Sequence, residues 1–136
     1  MPDFATTMNA DVDDLARATA AASAVLLAHG SSKKAIYDFE LVVEELVVNA
    51  IRHGLTGPGP HSIELALSFD RDEIEVRLVD SGSPFDPRRP PRQDEPADLA
   101  AAAIGGRGLG LVNRRTRRLG WRYADGKNVV DFTIAL

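Results

Sequence analysis

Cysteine is absent from the 136-residue sequence. Its absence excludes disulfide bonds, thiolate metal sites and cysteine nucleophiles, and it is typical of proteins of the reducing cytosol. No stretch approaches the about 18 uncharged apolar residues that span a bilayer, and residues 1–9 lack the basic and then apolar pattern of a secretion signal. We therefore expect a cytoplasmic protein that is neither secreted nor inserted into a membrane.

A strong net charge is also lacking. The 20 acidic and 16 basic side chains leave a formal charge of −4 at pH 7, so the composition predicts no direct binding to nucleic acid, and any basic function must be local. A chain of this length is expected to form one domain, residues 1–136, which buries roughly two thirds of the surface that its unfolded form exposes.

The hydrophobic pattern of the first half predicts a short edge strand and two helices. Residues 4–8 suit an edge strand. Residues 10–28 are rich in alanine and leucine and carry aspartates in the first turn, where the helix dipole favours negative charge. Apolar residues then recur at three- and four-residue steps in a second helix, which is capped by Ser31 or Ser32 and runs to about His53.

The second half is predicted to contain four strands and one more helix. Alternating apolar residues over 61–69 and 73–79 indicate half-buried strands. A helix spans about 105–118, and residues 121–124 and 129–136 form a closing hairpin. The predicted fold class is therefore α+β, a two-layer α/β sandwich with a mostly antiparallel, mixed sheet and helices on one face.

The first candidate site lies on the second predicted helix. Glu45, Asn49 and His53 stand four residues apart and so share one helix face. Such a polar stripe is ordinary on the exposed side of an amphipathic helix. The residue types also suit chemistry, because a carboxylate can act as a general base and an amide oxygen is a hard ligand for Mg²⁺.

The second candidate site is the Asp-Ser-Gly-Ser-Pro-Phe segment of residues 80–85, at the end of a predicted strand. An Asx turn that leaves the strand is the simplest interpretation. Alternatively, an ionised Asp80 can accept a hydrogen bond from the exocyclic amine of adenine, and Gly82 lets the backbone approach a base closely.

The third candidate site is the glycine-rich segment at residues 105–111, where a helix is predicted to begin. Its glycines expose backbone N–H groups at a helix N-terminus, which suits an anion cradle, and they equally suit a hinge for the preceding segment. It is not a P-loop, because no Gly-Lys-Ser/Thr follows, and the third glycine of a dinucleotide-binding fingerprint is missing.

Taken in order, the three segments resemble the N box and the two glycine boxes of the Bergerat ATP-binding fold of the GHKL ATPase superfamily. Within it, residues 43–54 and 106–111 are most similar to the stand-alone anti-sigma-factor serine/threonine-protein kinases. The resemblance covers residues 35–136, and residues 3–34 only by pattern. The chain departs from the family at Leu55, where an aromatic residue often follows His-Gly, which puts one packing contact in doubt.

The resemblance implies Mg·ATP as the bound nucleotide and gives the site residues roles. Asn49 would bind Mg²⁺, Glu45 would be the catalytic base that accepts the proton of the attacking hydroxyl, and Asp80 with Gly82 would hold adenine. Residues 81–105 would form the ATP lid. The remaining nucleotide neighbours that it implies are Arg52, His53, Phe85, Gly106, Arg107, Gly108, Leu109 and Gly110. For Arg52, His53 and Arg107 a solvated or capping role is the alternative.

The resemblance also implies a function and partners. The family phosphorylates a serine or threonine of a small STAS-type anti-sigma-factor antagonist and sequesters a sigma factor, usually as a homodimer. A non-catalytic, ATP-gated protein-binding module would share every motif. The catalytic half of a sensor histidine kinase shares the fold but normally accompanies a dimerisation helix pair, for which this sequence offers no room.

Arginines cluster near the end of the chain, and the sequence alone leaves two interpretations open. They form either a solvated face or a patch for an acidic partner or the triphosphate. The cluster comprises Arg107, Arg114, Arg115, Arg117, Arg118 and Arg122.

Overall fold

The computed structural model describes residues 1–55, 57–58, 60–89 and 110–136. They form β1 (Phe4–Asn9), α1 (Val12–Ala28), α2 (Lys33–Asn49), a π-helical turn (Ala50–Gly54), β2 (Ser62–Phe69), β3 (Glu73–Asp80), β4 (Arg118–Ala124) and β5 (Lys127–Ala135). Residues 110–115 are helical. No helix of the described part is long and apolar enough to cross a membrane.

Side-chain caps begin both long helices. Asp11 accepts a hydrogen bond from the Asp14 backbone N–H at 2.8 Å at the start of α1. At α2 the cap is Ser32, which accepts from the Ala35 N–H at 3.0 Å, while the Ser31 side chain is buried. These caps satisfy N–H groups that have no partner inside the helix, so they set where each helix starts.

The five strands form one sheet in the order β1-β2-β3-β5-β4. Each of its four neighbouring pairs is antiparallel. Apolar side chains at alternate positions pack against the helices in one core, which includes Phe39, Leu65 and Phe132. The opposite sheet face carries exposed charges such as the Arg77–Asp131 pair. The predicted α+β two-layer fold with helices on one face is confirmed.

The second helix ends near His53 as predicted, but its last turn is π-helical, and the last helix ends earlier than predicted. α2 changes at Ala50 into the π-helical turn, in which the Leu55 N–H donates to the Ala50 carbonyl at 2.9 Å. The last helix ends at residue 115 rather than at residue 118, because the residues that follow it pair with the sheet. Arg117 already donates its N–H to the Thr133 carbonyl at 2.8 Å, and Leu119 lies opposite Phe132 in β4.

A buried carboxylate joins α2 to helical residues 110–115. The Asp38 side chain is only 3% exposed and accepts hydrogen bonds from Arg115 and, at 2.6 Å, from Lys34. Burial raises the pKa of Asp38, but the hydrogen bonds from Lys34 and Arg115 outweigh it, so the pKa is lowered. The folded protein therefore holds Asp38 as a charged anchor.

We expect Asp38→Asn to lower the free energy of unfolding by about 2–3 kcal/mol at pH 7, since it leaves Arg115 without its anionic partner. Because the folded pKa is lowered, this stabilisation is complete above the unfolded pKa of about 4 and disappears as the pH falls through the folded pKa. Urea denaturation of both proteins from pH 7 to pH 2.5 measures it.

Asp131→Asn is the matched control for Asp38→Asn. Asp131 pairs with Arg77 at 2.6 Å, but the two side chains are 42% and 53% exposed. An exposed pair contributes about 0–1 kcal/mol, so this variant should change little. Equal losses in the two variants, or a difference for Asp38→Asn that does not shrink as the pH falls below about 4, would contradict the anchor.

Candidate active site

The C-terminal half of α2 presents two polar side chains on one face. Glu45 and Asn49 are both partly buried and, being four residues apart on a helix, have Cβ atoms about 6 Å apart. Neither side chain forms a hydrogen bond or ion pair with another residue of the described part. The carboxylate and the amide oxygen therefore remain available to a ligand.

The π-helical turn redirects the chain directly after Asn49. Turns of this kind are rare in proteins and occur frequently at functional sites. His53 stacks on Phe85, with ring centroids 5.2 Å apart and an interplanar angle of 23°. Arg52 is exposed. Hence the structure brings two predicted nucleotide neighbours, His53 and Phe85, into contact.

The end of the π-helical turn and the loop after β3 approach each other closely. The Ser83 N–H and hydroxyl both donate to the Gly54 carbonyl, at 3.1 and 3.2 Å. A Cβ atom on Gly82 would lie 2.5 Å from the Gly54 oxygen and 2.9 Å from the buried Leu55 side chain. Glycine at position 82 is thus required by this backbone contact, and Leu55 packs where the family more often has an aromatic residue.

Asp80 ends β3, and one of its two carboxylate oxygens accepts hydrogen bonds from the protein. Its Oδ1 accepts hydrogen bonds from the Gly82 N–H at 2.9 Å and from the Asn128 Nδ2 at 3.0 Å. The first bond is the Asx turn that the sequence suggested. Oδ2 accepts no hydrogen bond from the described residues, so one oxygen of this carboxylate can accept from a ligand.

A small cavity lies between α2, the sheet and the loop after β3. Apolar Leu46, Val47 and Leu78 line it together with Asp80, and Phe85 and Pro87 close one side. Its volume is only about 20 Å³, which is room for about one water molecule. A cavity of this size is too small to hold a nucleobase.

Asn128 at the start of β5 is a site residue that the sequence analysis did not identify. It lies opposite Asp80 in the β3–β5 register and is 2% exposed. The sequence does carry one weak signal, because asparagine is uncommon inside a strand. Nothing local to residue 128 indicates which strand it faces, since that depends on the sheet order.

Part of the predicted site lies outside the described residues. This applies to lid residues 90–105 and to Gly106, Arg107, Gly108 and Leu109, whereas Gly110 is helical and partly buried. The first lid residues form a turn in which Asp86 accepts hydrogen bonds from Arg88. These bonds are the main reason why the pKa of Asp86 is lowered.

The arginine cluster is divided among several ion pairs. Arg115 binds Asp38, and Arg117 and Arg118 bind Glu73. Within the described part, Arg114 and Arg122 form no ion pair and are exposed. Much of the cluster therefore stabilises the fold, which leaves these two arginines as candidates for an acidic partner.

Comparison with known proteins defines the class of this fold and site. Residues 8–134 match the histidine kinase-like ATPase domain. The chain is 30% identical over 105 residues to the serine-protein kinase RsbW of Listeria monocytogenes serovar 1/2a, covering 74% of this chain and 67% of the relative. It is 28% identical over 97 residues to the serine/threonine-protein kinase BtrW of Bordetella bronchiseptica, covering 71% and 68%.

A solved structure supports the same fold. The SiaB–SiaC complex from Pseudomonas aeruginosa contains a chain that matches with a TM-score of 0.60 and 19% sequence identity, covering 99% of this chain and 91% of that one. This chain belongs to the GHKL, or histidine kinase-like, ATPase superfamily, and within it to the family of anti-sigma-factor serine-protein kinases.

Proposed function

We propose that this protein is an Mg·ATP-dependent serine/threonine kinase that phosphorylates an anti-sigma-factor antagonist of the STAS type and sequesters a sigma factor. The observation that carries the proposal is the joint placement of Glu45 and Asn49 on α2. The same helix lines the cavity that Asp80 closes at the sheet. The names of the serine-protein kinase relatives support the activity.

In the proposed reaction, Glu45 is the general base. Its carboxylate takes the proton of the antagonist's hydroxyl as that oxygen forms a bond to the γ-phosphorus of ATP. The bond between the γ-phosphorus and the bridging oxygen breaks, and ADP leaves with that electron pair. Phosphoryl transfer depends chiefly on positioning and charge stabilisation, so one base and a fixed nucleotide suffice.

Asn49 and Asp80 are proposed to hold the nucleotide. The amide oxygen of Asn49 is a hard ligand suited to Mg²⁺, and it has no competing hydrogen bond among the described residues. When bound, Mg²⁺ neutralises the charge of the phosphates. The Oδ2 of Asp80 accepts the adenine amine. The cradle for the phosphates is assigned to the segment that includes Gly106 and Gly108 by family resemblance.

Incubation of the purified protein with Mg·ATP and candidate STAS-type proteins, followed by intact-mass analysis of both chains, tests this function. The expected result is a gain of one phosphate by an antagonist serine or threonine, and binding of a sigma factor that the unphosphorylated antagonist competes away. Mg·ATP binding without transfer to any of the STAS-type proteins tested would overturn the kinase proposal.

A non-catalytic, ATP-gated binding module is the second candidate. The small cavity favours it, because the cavity must enlarge before a base can enter, and such a rearrangement is a means of changing a partner surface. The two functions differ in one result. In the gated module, a non-hydrolysable ATP analogue regulates partner binding as well as ATP does, and no phosphate reaches the partner.

We also propose that the protein is a homodimer that associates through the β1 edge of the sheet. Among the described residues, β1 is an edge strand whose one neighbour in the sheet is β2. Arg17 donates a hydrogen bond to the Thr7 carbonyl at 2.9 Å. The other backbone N–H and C=O groups on the outer edge of β1 would therefore have to bond to the second copy. A purely monomeric mass in solution at micromolar concentration would exclude this arrangement.

A further inference from the structure

Asn128 is the most highly connected buried polar side chain of the described part. Its Nδ2 donates to Asp80 Oδ1 at 3.0 Å and to the Ser83 carbonyl at 2.8 Å. Its Oδ1 accepts from the Phe85 backbone N–H at 2.9 Å and from Trp121 Nε1 at 3.0 Å. A single amide thereby joins β3, the loop that follows it, and β4.

The chemistry of these partners determines which way the amide faces. The indole Nε1 of Trp121 and the backbone N–H of Phe85 are donors only, so both must meet the oxygen of Asn128. The nitrogen is then forced towards the Asp80 carboxylate and the Ser83 carbonyl, which are both acceptors. Exchange of the two ends of the amide would break all five of its hydrogen bonds in a buried place, including one of 3.4 Å from Nδ2 to the Gly82 carbonyl.

We propose that Asn128 is a positioning residue for recognition of the nucleobase, acting through Asp80 and the backbone of residues 82–85. This inference rests on the nucleotide site of the proposed function. Asn128 and Gly82 together occupy Oδ1 of Asp80, so Oδ2 is the acceptor left for a ligand. Adenine offers an amine to such an acceptor, whereas guanine offers a carbonyl at the same position and is repelled.

The same amide holds the backbone of the loop rather than the side chains that border the cavity. The backbone is held at Ser83 and at the Phe85 N–H, whereas the Phe85 ring and Pro87 border the cavity. Tyr123 adds a hydrogen bond of 3.3 Å to the Gly82 carbonyl. A base can therefore displace the ring without releasing Asp80 from its place.

Titration calorimetry with ADP, GDP and Mg·tripolyphosphate on the whole chain tests the proposal. Asn128→Ala should weaken ADP binding about 10- to 100-fold, the effect of removing a hydrogen bond to a charged group. It should also reduce the preference for ADP over GDP, while tripolyphosphate affinity stays unchanged. Asn9→Asp, an exposed change at the end of β1, should leave all three affinities unchanged.

Asn128→Asp supplies a pH-dependent readout, in which unchanged tripolyphosphate affinity distinguishes the positioning role from a loss of structure. It places a second carboxylate beside Asp80, so the pair shares a proton at low pH and repels at high pH. The ratio of variant to wild-type ADP affinity should therefore fall at least about tenfold between pH 5 and pH 8. His53, which stacks on Phe85, and Tyr123 are present in both proteins, so the variant and the wild type are compared with the same surrounding groups.

Trp121→Phe keeps the proposal testable if the Asn128 variants do not fold. It removes one donor that orients the amide, and ADP affinity should fall about 2- to 10-fold without loss of tripolyphosphate binding. Equal losses for ADP and tripolyphosphate, or an unchanged ADP-to-GDP ratio, would overturn the positioning role. If the variants lose ADP affinity selectively but the wild type transfers no phosphate, only the proposed kinase activity is refuted. If the wild type binds no ADP, both the kinase activity and the positioning role of Asn128 are refuted.

Discussion

Glu45→Gln is expected to reduce phosphoryl transfer to the antagonist at least about 100-fold, which is the usual contribution of a general base. The amide has the same shape as the carboxylate but cannot accept the proton of the attacking hydroxyl. Glu45 is partly buried and forms no hydrogen bond with the described residues, so neither folding nor nucleotide affinity should change. Single-turnover transfer assays and calorimetry with Mg·ATP measure the two effects separately.

Glu44→Gln is the matched control for this experiment. Glu44 precedes Glu45 on α2, but its side chain is exposed, and a helix turns by about 100° per residue, so it projects from a different part of the surface. The control should transfer phosphate at the wild-type rate. Persistent transfer by Glu45→Gln, with both variants folded, would remove Glu45 from the catalytic role.

Asn49→Ala should abolish the dependence of ATP affinity on Mg²⁺. Loss of a direct metal ligand is expected to lower the metal-dependent affinity about tenfold or more, because mutation of residues that only hydrogen-bond to a metal ligand already lowers affinity by that much. Affinity for metal-free ADP should remain, because in the proposed complex Asp80 holds the base and Asn49 binds only the metal. Calorimetry with ATP in the presence of Mg²⁺ and of EDTA compares the two states.

The fold should tolerate this change. Asn49 is the last residue of α2, and alanine has a higher helix propensity than asparagine. Asn9→Ala is the control, because it removes an asparagine at an exposed position outside the proposed metal site. If Asn49→Ala still gained affinity on addition of Mg²⁺, the metal would have to be held by other residues.

Much of the fold was predictable because the signals are local. The capping serine before α2 and the alternation in β2 and β3 involve residues within a few positions of one another, so they can be recognised without knowing the sheet order. The predicted boundary between the last helix and β4 was wrong because it depends on pairing with a strand that is distant in the sequence. β4 starts at Arg118 because pairing with Thr133 in β5 is more favourable there than another turn of helix.

The candidate site likewise contains residues that local spacing identifies and residues that only the fold reveals. Glu45 and Asn49 share a face by helical spacing alone, and Asp80 closes its Asx turn with Gly82. Asn128 could not be recognised, because it meets Asp80 only through the β3–β5 register, 48 residues away. Nor did the pattern show that Gly82 is required by contact with Gly54, since this approach depends on the π-helical turn.

The sequence by itself determined the order of helices and strands, the apolar faces that pack into one core, and the three polar segments that identify the family. Only the tertiary structure decided that Arg115 anchors to Asp38, that Asn128 hydrogen-bonds to Asp80, and that Phe85 and Pro87 border the cavity beside Asp80. The physical reason is separation along the chain. Periodicity and capping act over a few residues, whereas ion pairs, cross-strand hydrogen bonds and cavities arise between residues that only the fold brings together.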